Sequence, residues 1–193
     1  MMKKVSFVIV PMLAVVALLV YFINSLDGGV VSADFTATRQ KAASISENIV
    51  NLTTDTTKKI EAANKIQNAG NTDQLLALIN EAKALNSTAY QKAFDLSNAL
   101  QQMAESLNNV GSSRQQIGYE AVALELSLVS EFISYTGSLN DFLDILTKSV
   151  ITGNPANPKA ISDALGTVNQ KANFINSLNA NFLEKMAAFD QVK

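Results

Sequence analysis

Two patterns of apolar residues divide the chain. The first is continuous: Lys3 and Lys4 precede nineteen residues, Val5 to Ile23, that carry no charge and are interrupted only by Ser6 and Pro11. As a helix rising about 1.5 Å per residue, this run would be roughly 28 Å long, close to the roughly 30 Å hydrocarbon core of a bilayer. The second pattern is periodic and occupies Asp34 to Lys193. Apolar and small residues recur there at alternating three- and four-residue spacings, the repeat of amphipathic helices packed side by side.

Four segments carry the periodic signal. Residues 34–69 present Phe35, Thr38, Ala42, Ile45, Ile49, Leu52, Thr56, Ala63 and Ile66. Gly70 suits a C-terminal cap, and Thr72 an N-cap ahead of Asp73 at the positive end of the next helix dipole. Residues 73–110 hold the most regular stripe, from Leu75 and Ile79 through Asn86, Ala93 and Leu100 to Leu107 and Val110. Gly111 ends it, and Ser112 with Gln115 forms a capping-box pattern for a third helix over 113–152. That helix runs from Ile117 through Leu124, Phe132, Tyr135 and Leu139 to Val150, with Gly137 as a weak point. Gly153 stops it. Asn157 as N-cap and Pro158 at the first helical position then open a fourth helix over 158–190, whose seam runs from Ile161 through Ile175 and Asn179 to Phe189. Short connections between long helices predict an antiparallel, up-down-up-down four-helix bundle roughly 50 Å long.

The expected fold is therefore all-α: an N-terminal transmembrane or signal-anchor helix followed by that bundle. The domain reading is a cytoplasmic N-terminus at 1–4, a membrane helix at 5–23, a linker at 24–33 and an extracytoplasmic bundle at 34–193. The orientation follows from the two lysines ahead of the run, with no basic residue soon after it. The chain is expected to cross the bilayer once, with the turn at Gly111 and the end at Lys193 returning towards the membrane. The alternative is removal of the leader at Val31-Ser32-Ala33, which would leave a secreted or periplasmic bundle starting at Asp34.

Composition narrows the chemistry. The chain has no Cys and no His, which removes disulfides, thiol nucleophiles, thiolate metal sites and histidine-based hydrolysis or di-iron chemistry. A net charge of -2 supplies no basic field for nucleic acid. Polarity comes instead from uncharged groups, including 19 Asn. Because Asn is a mediocre helix former, packing must hold these helices. No catalytic, cofactor-binding or metal-binding residue is expected, and the chain is read as a non-enzyme. The spacing of Asp141 and Asp144 suits a surface pair, with Lys148 as the partner of Asp144. Glu120, Glu125 and Glu131 share the third helix; Glu131 borders the seam and is expected to turn outward. Asn51 and Asn86 match the N-glycosylation pattern, and Leu75, Leu76, Leu78 and Ile151 lie near the bundle tip.

The polar positions within the predicted seams are the candidate ligand residues: Thr38 and Thr56 in the first helix, with Lys59 beside them, Asn86 in the second and Asn179 in the fourth. A buried Asn can fix helix register, which is a sufficient structural role for each; a pocket between the helices is the sharper alternative. Function is expected to lie in binding: a protein-interaction or scaffold module, tethered to the lipid bilayer through Val5 to Ile23, with a protein partner or a second copy. The alternative is a sensor-like bundle that takes a small-molecule ligand. At the level of topology alone, the arrangement resembles the extracytoplasmic four-helix bundle of chemoreceptor-type sensors.

Overall fold

A computed structural model describes residues 32–66, 71–152 and 158–192. The apolar run Val5 to Ile23 and most of its linker lie outside the described residues. Among the described residues, no helix is long and apolar enough to cross a membrane. The described residues form four long helices: α1 (Ala33–Ile66), α2 (Thr72–Ser106), α3 (Ser112–Thr152) and α4 (Pro158–Gln191), with a 3-10 turn at Leu107–Asn109 between α2 and α3.

The helix ends show how local chemistry sets their boundaries. Ser32 caps α1, its Oγ accepting the backbone N–H of Phe35 at 3.2 Å. The N-cap of α2 is Asn71, one residue before the expected Thr72: its Oδ1 accepts from the Gln74 backbone at 3.1 Å, and Thr72 becomes the first helical residue. The predicted continuation of α2 to Val110 is also corrected. The helix stops at Ser106, tightens into the 3-10 turn and leaves Val110 extended, as suits the poor helix formers Asn108 and Asn109 before Gly111. At the start of α3, the Gly111 carbonyl accepts from the backbone N–H of Arg114 and Gln115, so Ser112 sits inside the helix rather than capping it. Pro158 opens α4 as expected, while Asn157 lies outside the described residues.

Side-chain pairs fix the antiparallel register around the ring. Lys41 reaches Gln102 and Lys59 reaches Glu81 between α1 and α2. Lys83 and Asp144 join α2 to α3 at 2.6 Å, which corrects the expected pairing of Asp144 with Lys148. Lys171 donates to Ser134 and Lys185 to Glu120 between α3 and α4. Close backbone approaches are concentrated between helices consecutive in sequence. The first and last helices instead meet through large side chains, with Phe35 stacked on Phe189 at 5.1 Å and Arg39 bonded to Asp190.

The core runs the length of the bundle and is built from alternating large and small residues. Phe35, Phe142, Phe189, Leu139 and Ile175 are almost wholly buried, as are Ala82, Ala89, Ala93, Ala99 and Ala172. Gly118 is required by close packing, because a Cβ there would lie 2.5 Å from Leu107 Cδ2 and 3.1 Å from Phe189. Its missing side chain lets the 3-10 turn fold down onto α3. Leu75 and Leu78 are half-buried against the core at the opposite tip, where Ile151 remains exposed.

Candidate functional site

The residues singled out from the sequence are spread along the bundle. Thr38 donates back to the carbonyls of Asp34 and Phe35 and meets Ser106 Oγ at 3.3 Å near the α1 N-terminus. Thr56 is buried at mid-bundle and satisfied by the Leu52 carbonyl at 2.8 Å. Asn86 is buried on α2, and Asn179 is buried on α4. Lys59 is spent on its surface pair with Glu81. Two cavities between the helices are lined by other residues.

Asn86 belongs to a satisfied network between α2 and α3. Its amide donates to the Thr136 carbonyl and to Asn140 Oδ1, both at 2.9 Å. The Thr136 hydroxyl turns back to the Ile133 carbonyl, so no group there needs a ligand. Burial also removes Asn86 from reach as a glycosylation acceptor in the folded chain, whereas Asn51 is exposed. The network has the form of a register pin.

A different cluster carries the unusual chemistry. Arg39 on α1 is 6% exposed and grips Asp190 on α4, which is 15% exposed, through two parallel bonds of 2.9 Å. Such a fork-to-fork pair is the strongest geometry an ion pair offers. Beneath it lies a cavity of about 20 Å³, room for about one water molecule. Arg39, Ala42 and Ser46 line it from α1, Leu100 and Met103 from α2, and Phe182 and Met186 from α4. Glu125 closes it from α3.

Glu125 is 2% exposed, and its Oε2 has no hydrogen-bond partner; Ser46 Oγ, on the same cavity, has none either. Burial away from water pushes the Glu125 carboxyl up to about 7, because the apolar wall disfavours the ionised form. Arg39 does not offset this, since its guanidinium is turned to Asp190. The exposed carboxylate of Glu120 behaves in the opposite way: its hydrogen bond from Lys185 holds it below the usual range. Glu131 is half-buried.

Sequence reasoning passed over Arg39 and Ser46 and named Glu125 without placing it in the core, although the signal was present. The buried face of α1 follows Phe35, Arg39, Ala42, Ser46, Ile49, Thr53, Thr56, Ile60 and Ala63, an unbroken heptad alternation. A search for apolar residues steps off it onto Ile45 and Leu52, which are half-buried neighbours. On α3, Glu125 falls one heptad after Gly118 and one before Phe132, all buried, while Leu124 beside it is partly exposed.

A second cavity of about 20 Å³ lies higher in the core among Ile49, Leu96, Leu128, Phe132 and Ile175 and is apolar apart from Ser46 at its edge. Neither cavity has the volume of a metabolite site. Among the described residues, no group of three or more acidic side chains converges as a metal site would require. Comparison with known family models, with curated proteins and with solved structures finds no match.

Proposed function

We propose that the chain is a single-pass, membrane-anchored helical bundle, held on the extracytoplasmic side, that serves as a protein-interaction or scaffold module. The carrying observation is where apolar surface is left over. Inside, among the described residues, the two cavities described above each amount to about 20 Å³, enough for a water and far below a metabolite. Outside, Phe94 is 45% exposed and Phe174 51% exposed. Phe94 is steadied by an edge-to-face contact with Tyr90 at 5.0 Å. Exposed, ordered aromatic residues are the usual anchors of protein contacts. The N-terminal apolar run supplies the tether, and the sensor-like alternative would need the bundle to open before a ligand could enter.

The test is photo-crosslinking in native membranes with a photoreactive residue placed at Phe94 or Phe174, and at exposed Asn48 on α1 as the control. The expected result is one adduct of reproducible mass from the aromatic positions and none from the control. Absence of any adduct from both aromatic positions, together with a metabolite that raises the melting temperature of the full chain, would replace this reading with the ligand-binding one.

A further inference from the structure

The cavity between Arg39 and Glu125 has features that the interaction reading does not use. It joins two buried polar atoms without partners, Ser46 Oγ and Glu125 Oε2, to an ion pair that bridges the first and last helices across a mostly buried surface. That helix seam is the one with fewest close backbone approaches, so it depends on side chains such as Phe35, Phe189, Arg39 and Asp190. A charge appearing on the cavity wall would act on the seam at its weakest place.

We propose that Glu125 and Arg39 form a proton-operated latch on the α1–α4 seam. With Glu125 neutral, one water in the cavity would satisfy both its carboxyl and Ser46 Oγ, and Arg39 is bonded to Asp190. When Glu125 releases its proton to solvent, a carboxylate appears on the cavity that the guanidinium also lines, in surroundings where an unpaired charge is costly. Arg39 is drawn towards it, its hold on Asp190 weakens, and the ends of α1 and α4 separate. Of the residues lining the cavity besides Glu125, Arg39 from α1 carries the charge. Leu100 and Met103 from α2, and Phe182 and Met186 from α4, carry no titratable group, and Asp190 of α4 acts through Arg39. Lys185 and Glu120, also on α4 and α3, are engaged with each other at the surface. Burial of Glu125 brings the release close to neutral pH.

The absence of cysteine makes the test direct. Spin labels at exposed positions, introduced by Ala37→Cys and Ala188→Cys in the full chain, report the distance between the α1 start and the α4 end. The expected result is a second, longer distance population that grows between about pH 5.5 and about pH 8.5 and is half-developed near the Glu125 midpoint. Glu125→Gln, which keeps the neutral shape, should hold the short distance throughout. An independent readout in the unlabelled wild-type chain is the Arg39 Nε–H nuclear resonance, which should shift with the same midpoint. A distance distribution that is the same at both pH extremes, a transition that survives Glu125→Gln, or an Arg39 resonance that ignores pH would each overturn the latch. None of these outcomes bears on the photo-crosslinking at Phe94 and Phe174, so the two proposals fail separately.

Discussion

Two polar inclusions interrupt the same apolar core, and they have been treated in opposite ways. Around Asn86, everything is neutral and bonded: the amide spans from α2 to α3 and finds the Thr136 carbonyl and the Asn140 side chain. Around Glu125, formal charges are buried: an Arg–Asp fork, a carboxyl with an unpartnered oxygen and a small cavity share one layer. A neutral amide can be satisfied by spare lone pairs on a neighbouring helix, so its burial gives register without a dependence on solution conditions. A buried carboxyl has no such neutral solution except to keep its proton, so its burial ties the fold to pH. The difference lies in the chemistry of the inclusions, since both are in the core.

The comparison is broken most forcefully at Arg39. Arg39→Ala strands the largely buried Asp190 carboxylate, and removing one partner of a buried pair costs about 3 kcal/mol or more. Urea unfolding of the full chain should show a lower midpoint, and α1 amides near Phe35 should lose protection from hydrogen exchange before those at mid-bundle. If Arg39→Ala costs no more than truncating Asn86, the charged layer contributes nothing that the neutral one does not.

Glu125→Gln sharpens the contrast in the opposite direction. A carboxyl that titrates at 4.5 in an unfolded chain and at about 7 when folded binds its proton more tightly in the native state. Below pH 4.5 both states are protonated and the residue costs nothing. Between 4.5 and 7 the unfolded chain has released its proton and the native state has not, so stability falls as pH rises; above 7 the loss is complete, at about 3 kcal/mol. Glu125→Gln removes this slope. The variant should match the wild type in acid and exceed it by up to about that amount in mild base, as read from unfolding midpoints across the range. Parallel curves for the two proteins would mean that Glu125 is ionised at no cost.

The two layers also differed in how readily the sequence disclosed them. The regular α2 stripe carried Asn86 in plain view, because its neighbours one heptad away, Ile79 and Ala93, are apolar. Helix number, antiparallel order and the Pro158 start were legible for the same reason: long, unbroken periodicity with strong stop signals between the segments. The charged layer was hidden because Arg39, Ser46 and Glu125 occupy core positions with polar side chains: Arg39 stands beside Thr38, which the stripe took in its place, and the other two have apolar residues immediately beside them. Ile45 next to Ser46 and Leu124 next to Glu125 each draw a hydrophobicity-based reading one position off the heptad. Asp190 could not be recognised as Arg39's partner without the register, which depends on how α1 and α4 meet across the whole chain. The end of α2 was misplaced for a tertiary reason, since the 3-10 turn packs Leu107 against Gly118, a residue on the next helix.

The mildest test falls on Asn86. Asn86→Ala removes two hydrogen bonds and leaves a small void, but it strands little. The Thr136 carbonyl is a helical acceptor that can keep its own intrahelical bond, and Asn140 is half-buried at the bundle edge, where its side chain can reach solvent. The expected loss is about 1–2 kcal/mol, and it should be the same at pH 5 and pH 8 because no titrating group takes part. What should change is precision. With the pin between α2 and α3 gone, the apolar stripes on either side remain compatible with a shift along the helix axis, since heptad repeats match after a slip of one repeat. Amide resonances of α3 near Thr136 should therefore broaden more than those near Glu125, although the Arg39 and Glu125 substitutions have the larger effects on stability. If a pH-dependent cost appears in Asn86→Ala, the two layers are coupled along the core, and the neutral inclusion also tunes the proton affinity of the charged one.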